Sequence, residues 1–281
     1  MSVAQETAWE NNGLHEIEEI SGAPLALDAI WRGIEANEFL PHFQPKVSLR
    51  GMELAGVEAL MRWQHPQRGL LPAGAFLPVV EDNFLFDELT TIMLEKSIAQ
   101  CRRWQAEGVV VPVSVNLSPD LLRDFGVAER IAKKVRTHRL PANRLIIEVP
   151  EAAIAHDIGD SLENLVQLRV MGFGLAIDDF GTGHCGREQL ERIPASEMKI
   201  DRNMLAGAAR RPALKDLLRQ SIELARELNL QAVAEGVENQ EEWDLVNELG
   251  CDMAQGYFIA RPMAGDDLIG WLQVWTSDPF L

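Results

Sequence analysis

Six short apolar runs, each closing on an acid, an amide or a lysine–acid pair, limit what this chain can fold into. They are Val57-Glu58, Val113-Ser114-Val115-Asn116, Leu145-Ile146-Ile147-Glu148, Leu175-Ala176-Ile177-Asp178-Asp179, Met198-Lys199-Ile200-Asp201 and Ala232-Val233-Ala234-Glu235. Aliphatic and β-branched runs of this length read as strands buried on both faces, as in a parallel sheet. Segments of helical period separate most of them. Strand and helix in alternation, with a polar group at each strand's C-terminal end, is how a β/α barrel assembles a site at one mouth. Acids gathered there repel one another, which is tolerable when cations sit among them.

The 281 residues and 47% hydrophobic content suit one large core. A net charge of −17 argues against a broad basic face for DNA, while metals and a few placed cations still allow an anionic ligand. Three scattered cysteines, Cys101, Cys185 and Cys251, form no CxxC pair and read as reduced thiols in a cytoplasmic protein. The N-terminus lacks a basic-then-apolar signal pattern. No apolar run reaches the roughly 18 residues of a membrane span.

Residues 1–24 are polar and acidic and read as a poorly ordered leader or linker; 25–281 read as the barrel domain. A helix is expected from Leu25. His42–Arg50 and Met52–Trp63 read as strands joined at Arg50-Gly51, hence antiparallel, so the barrel begins irregularly. Residues 73–82 and 84–107 read as helices, the second with a buried stripe of Leu89, Ile92, Met93, Lys96 and Ala99. Ser118-Pro119 has the form of an N-cap followed by a first-turn proline. Further helices are expected near 126–138, 160–171, 187–192, 212–228, 239–249 and 264–275, with a last short strand at Cys251-Asp252-Met253-Ala254 ahead of Gln255.

Each polar strand end has a structural alternative. Glu58 could be an edge glutamate facing water; Arg62, four residues on, shares its strand face as an ion-pair partner or a phosphate clamp. Asn116 could shape a turn, or offer a neutral oxygen to a hard cation. Glu148 could serve a helix N-terminus. Glu151 falls in the loop beyond and is assigned to holding a neighbouring loop. Asp178 and Asp179 point to opposite faces unless the strand bends, and Phe180-Gly181-Thr182-Gly183 supplies glycines for that bend. Lys199 and Asp201 share a face, as an ion pair or around a Schiff-base lysine of aldolase type. Against the Schiff base, a lysine ringed by acids stays protonated. Together Glu58, Asn116, Glu148, Asp178, Asp179, Asp201 and Glu235 make an all-oxygen set suited to Mg²⁺ or Mn²⁺, and point to phosphoester hydrolysis.

Eight ordered blocks resemble the signature of EAL domains, bacterial cyclic di-GMP phosphodiesterases. They are Gln44-Pro45-Lys46-Val47, Glu58-Ala59-Leu60, Asn116-Leu117-Ser118, Glu148-Val149-Pro150-Glu151, Asp178-Asp179-Phe180-Gly181-Thr182-Gly183, Lys199-Ile200-Asp201, Glu235-Gly236-Val237-Glu238 and Gln255-Gly256-Tyr257. The resemblance implies a modified TIM-type β/α barrel with an antiparallel first strand. It also implies conversion of cyclic di-GMP to linear pGpG, with two Mg²⁺ or Mn²⁺ ions on the seven oxygen-bearing residues above. Catalytic roles would fall to Glu235, Lys199, Asp179 and Gln255. Substrate contacts would fall to Gln44, Leu60, Arg62, Asn116 and Glu238. Glu235 as general base is the weaker reading, because a carboxylate bound to a cation is a poor base. A homodimer, and a sensor or receiver partner, are further expectations; a cyclic di-GMP receptor that does not cut its ligand is the alternative. The chain departs from the family at Val149-Pro150 and at His184-Cys185-Gly186-Arg187. There Glu151, Thr182 and Cys185 would support the loop. Cysteine in place of the family's serine predicts a looser loop, so Cys185→Ser is expected to tighten the Mg²⁺ dependence.

Overall fold

The computed structural model describes residues 25–156, 159–183, 185–277 and 279; the expected leader, 1–24, and His184 lie outside them. Nine strands form one sheet: β1 (Phe39–Ser48), β2 (Leu54–His65), β3 (Gly69–Pro72), β4 (Val113–Asn116), β5 (Leu145–Pro150), β6 (Gly174–Phe180), β7 (Glu197–Ile200), β8 (Gln231–Ala234) and β9 (Met253–Gln255). Their order is β1-β9-β8-β7-β6-β5-β4-β2-β3, and β1 also pairs with β2. Eight of them therefore close a barrel, with β3 as a tail on β2. From β2 through β4 to β9 each neighbouring pair is parallel, whereas β1 is antiparallel to both β2 and β9. This is a TIM-type barrel with a reversed first strand, as the hairpin at Arg50-Gly51 predicts.

The parallel strands are dry on both sides: every residue of β5 and of β7 is buried. One side packs on the helices and the other fills the barrel. The reversed strand makes a long hairpin with β2, running from Phe39↔Trp63 to Val47↔Leu54. Its seam with β9 is much shorter, with three pairs from Lys46↔Gln255 to Ser48↔Met253. The segment after β9 backs the seam up, through paired main-chain bonds between Phe43 and Met263 and a 3.0 Å bond from Gln44 Nε2 to the Ala260 carbonyl. Where the hairpin overhangs the barrel, a small second core forms. Phe39 stacks on Trp63 at 5.0 Å, and Gly33 of the helix Leu27–Glu35 lets that helix come close, since a Cβ there would lie 2.9 Å from the indole nitrogen.

Several boundaries differ from the sequence reading. The expected 73–82 helix is a 3₁₀ turn, Ala73–Ala75, then a helix, Leu77–Glu81; β3, just before it, has no periodic signal in its four residues. The helix expected at 187–192 runs only from Arg187 to Leu190. On the helix Phe86–Ala106 the buried face turns away from the expected stripe: Leu89 and Met93 are buried, but Leu94, Ile98, Cys101 and Trp104 continue it. Lys96 lies at its margin because its ammonium reaches the Asn37 and Phe39 carbonyls.

Below the mouth, the barrel interior carries a buried ion pair. Lys46 Nζ lies 2.7 Å from Glu197 Oε2 and donates to Ser114 Oγ at 2.8 Å. Gly56 leaves room for the lysine stem: a Cβ would meet Lys46 Cε at 3.2 Å. Breaking such a pair strands a charge, whereas replacing both partners by apolar groups does not. Lys46→Met is expected to lower unfolding free energy by roughly 3–5 kcal/mol in urea denaturation, and Lys46→Met with Glu197→Leu to recover most of that loss. An unrecovered double variant would show that Lys46 acts through more than this pair.

Candidate metal centre

The polar strand ends converge above that floor. Period-2 alternation turns Glu58, Glu148, Asp178, Lys199 and Gln255 into the barrel, each less than 5% exposed. Asp179 should point out, and does not, because β6 breaks its register with β7 between Ile177 and Phe180. Asp179 itself takes φ +54°, a left-handed backbone costly for a residue with a side chain. The bend thus begins on the aspartate, two residues ahead of Gly181, and the glycines expected to make it take φ +109° and +93° in turn. Asp179 N–H donates to Asp178 Oδ1 at 3.1 Å, which helps hold the turn.

Lys199 sits at the centre. Its Nζ lies 2.8 Å from Asp178 Oδ1, 2.8 Å from Glu235 Oε1, 2.9 Å from Glu148 Oε2 and 3.3 Å from Glu58 Oε2. Burial opposes its charge, but these carboxylates outweigh burial and hold the ammonium well above the usual lysine range. A Schiff-base lysine needs the opposite shift, which counts against the aldolase alternative. Glu58 is similarly settled: burial works against its charge, but Lys199 and the Gln255 amide, 2.7 Å from Oε2, keep its carboxyl low. Asn116 Nδ2 donates to Glu58 Oε1 at 3.1 Å.

Glu148, Asp179 and Glu235 are less well compensated. Burial, then the Glu58 carboxylate, raises Glu148 well above the usual range. Burial pushes Asp179 up to about 10, aided by Asp178 and Glu235, and Glu235 up to about 8 despite Lys199. Glu148 Oε1, Asp179 Oδ1 and Gln255 Oε1 are buried without a hydrogen-bond partner. Two acid triads lie here, Glu58–Glu148–Asp178 and Asp178–Asp179–Glu235, with ligand atoms within 4.8 Å of one another in each. The shared Asp178 makes them neighbours. Buried oxygens without donors, in two adjoining sets, fit hard divalent cations. Asp201 stands apart from both triads. Its Oδ1 accepts from Asn203 N–H at 2.8 Å, capping the helix Arg202–Leu205, and it lines the cleft above.

Glu151 grips the loop after β6. Its Oε2 accepts from Gly181 N–H at 3.0 Å and from the Thr182 hydroxyl at 3.2 Å, and its Oε1 from Cys185 N–H at 2.6 Å. The hold on residue 185 is through the main chain. The Cys185 thiol, which burial and Glu151 push up to about 12, donates instead to the Glu151 carbonyl. The expected loosening by cysteine therefore loses its basis.

A cleft of about 610 Å³ opens over the centre, lined by Gln44, Leu60, Arg62, Asp201, Glu235, Glu238 and Gln255, with Arg202, Gly236 and Tyr257 added to the residues foreseen. A second, more apolar one of about 570 Å³ shares Leu60 and Arg62 and reaches Asn116, Phe86 and Met93. Sequence reasoning missed Arg202, Lys46 and Glu197. The last two were findable: Lys46 is two residues from Gln44, and Glu197 two from Lys199, on the same strand faces. Among the described residues no helix is long and apolar enough to cross a membrane.

A family model for EAL domains matches residues 27–262. The cyclic di-GMP phosphodiesterase RocR of Pseudomonas aeruginosa is 37% identical over 245 residues, 87% of this chain and 62% of that protein. The bifunctional diguanylate cyclase/cyclic di-GMP phosphodiesterase MucR of the same organism is 37% identical over 239 residues, 85% of this chain and 35% of that protein. The chain thus spans less than two thirds of the length of either. A solved structure of the PaMucR phosphodiesterase in complex with c-di-GMP superposes with a TM-score of 0.82 at 37% identity, covering 86% of this chain and 98% of that one.

The raised carboxyls set a pH dependence. Folded Glu235 and Asp179 keep protons up to about 8 and about 10, where the unfolded chain has lost them above the ordinary 4.5 and 3.8. The folded state binds more protons in that window, so metal-free stability falls as pH rises through it. Cations displace those protons. Metal-free melting temperature is expected to drop between about pH 6 and about pH 8.5, and the gain on adding Mg²⁺ to grow over the same range. A pH-independent gain would mean these acids are not ligands.

Cys185→Ser is expected to leave the Mg²⁺ concentration for half-maximal stabilisation within about threefold of wild type, because it keeps the main-chain bond to Glu151 and puts one donor in place of another. A larger shift would return the grip to the side chain.

Proposed function

The chain belongs to the EAL domain family, and from that membership and the geometry of its centre we propose that it hydrolyses cyclic di-GMP to linear pGpG. The observation that carries the proposal is the pair of buried acid triads sharing Asp178, placed directly beneath a cleft with arginine at its wall. Two Mg²⁺ or Mn²⁺ ions bound by Glu58, Asn116, Glu148, Asp178, Asp179, Asp201 and Glu235 would lower the pKa of a water and neutralise charge gathering on the phosphate. Glu58, Glu148, Asp178, Asp179 and Glu235 are already close enough for this. Asn116 and Asp201 would complete the shell from its edges.

The chain's own groups have defined tasks in this reading. Lys199, held protonated by the acids around it, would donate to the substrate phosphate or to a water once cations take up those acids. Gln255 fixes Glu58 through its amide nitrogen, leaving its buried Oε1 to accept from that water. Arg62 lies in both clefts, where a guanidinium suits a phosphodiester. Leu60, also in both, would stand between the halves of a ligand with two bases. Gln44 supports the wall by its bond to the Ala260 carbonyl. Glu151 and Thr182 keep the β6 loop, and so Asp179, in place. Pairing with a second copy, control by a sensor or receiver module, and action in the cytoplasm complete the proposal on the strength of family membership. A receptor that binds without cutting would be expected to have lost acids from the triads, and none is missing here.

Purified protein with cyclic di-GMP and Mg²⁺, then Mn²⁺, is expected to release pGpG, separated by chromatography. Glu58→Ala should lower the rate by about a thousandfold or more, as removal of a metal ligand and of Lys199's partner together would. Intact nucleotide despite tight binding would sink the hydrolase and favour the receptor.

A further inference from the structure

Arg202 is the first residue of its short helix, set directly after β7 by the Asp201 cap. Its base is fixed from the side. Gly236 takes φ +66°, and a Cβ there would lie 2.5 Å from Arg202 Cβ, so the turn after β8 presses on the arginine stem. The tip is not locked. Arg202 Nη2 lies 3.4 Å from Glu238 Oε1, their side chains are 21% and 39% exposed, and both line the cleft with Tyr257. An ion pair this open adds little to stability. It does place a fork of donors beside a pair of acceptors on the wall of a site already read as taking a guanine dinucleotide.

That order of groups matches one base. Guanine presents the acceptor O6 next to the donor N1–H, with the N2 amino group beyond and the acceptor N7 on the other side. Adenine reverses the first two: its N6 amino group donates and its N1 accepts. A carboxylate can take N1–H and the amino group while a neighbouring guanidinium donates to O6 and N7, the commonest arginine contact to guanine. Against adenine both contacts would set like against like and leave polar groups unpaired, which is how a polar site rejects the wrong ligand. We propose that Arg202 is a specificity-determining residue, which leaves its loose pairing with Glu238 to read the O6/N7 edge of one guanine of the substrate. The inference rests on the proposed cyclic di-GMP reading.

Steady-state kinetics of wild type and Arg202→Met, each with cyclic di-GMP and with its 7-deazaguanine analogue, tests it. Arg202→Met should raise KM for cyclic di-GMP by about tenfold or more, as loss of a bidentate base contact does, with kcat nearly unchanged. For the 7-deaza analogue, which lacks the N7 acceptor, the same substitution should cost at least about threefold less, the non-additivity that marks a direct contact. Unchanged KM, or equal penalties with both ligands, would reduce Arg202 to a brace for Glu238 and overturn the inference while leaving the hydrolase standing. Wild-type protein that neither binds nor cleaves cyclic di-GMP would overturn both.

Discussion

Mutual repulsion among buried carboxylates governs this molecule. Glu58, Glu148, Asp178, Asp179 and Glu235 share a dry interior, and each buried charge there is costly unless paired. The fold answers in layers. Lys46 and Glu197 neutralise each other at the floor, and Lys199 takes four acids one layer up. What those cations leave uncompensated is held as protons. The centre is therefore under electrostatic tension that bound divalent ions would relieve.

That tension explains why the barrel is built as it is around the site. A parallel strand contributes side chains to the interior only at alternate positions, so adjacent Asp178 and Asp179 cannot both reach in from regular backbone. The register break in β6 and the left-handed Asp179 solve this at a cost in strain. Glu151 steadies the result by gripping main-chain donors, so the support tolerates a changed side chain at residue 185.

Much of this was legible in the residues. Strand ends announced themselves because six apolar runs close in the same polar way, though each ending alone has a structural reading, and the Arg50-Gly51 turn forced the reversed first strand. The shape of the acid set came from counting faces with period 2. What was hidden depends on distance in space. No local pattern says that Asp201 caps a helix outside the triads, that Asp179 shares the bend with Gly181 and Gly183, or that Lys46 finds Glu197 across the barrel. Arg202 follows a strand-end acid as many surface arginines do, and only the press of Gly236 and the nearness of Glu238 give it meaning.

The reversed first strand has one more effect. It joins β9 through only three residue pairs, against nine with β2, and one of the three pairs Lys46 with Gln255. Short ladders open first when a folded protein fluctuates. β9 is held by short ladders on both sides, three pairs to β1 and two to β8, so the staves of this cask are thinly joined where a floor cation meets the glutamine that steadies Glu58. Breathing at that joint would admit water to the driest charges in the molecule, and amide hydrogens of Val47 and Ala254 should report it before those of β5 or β6.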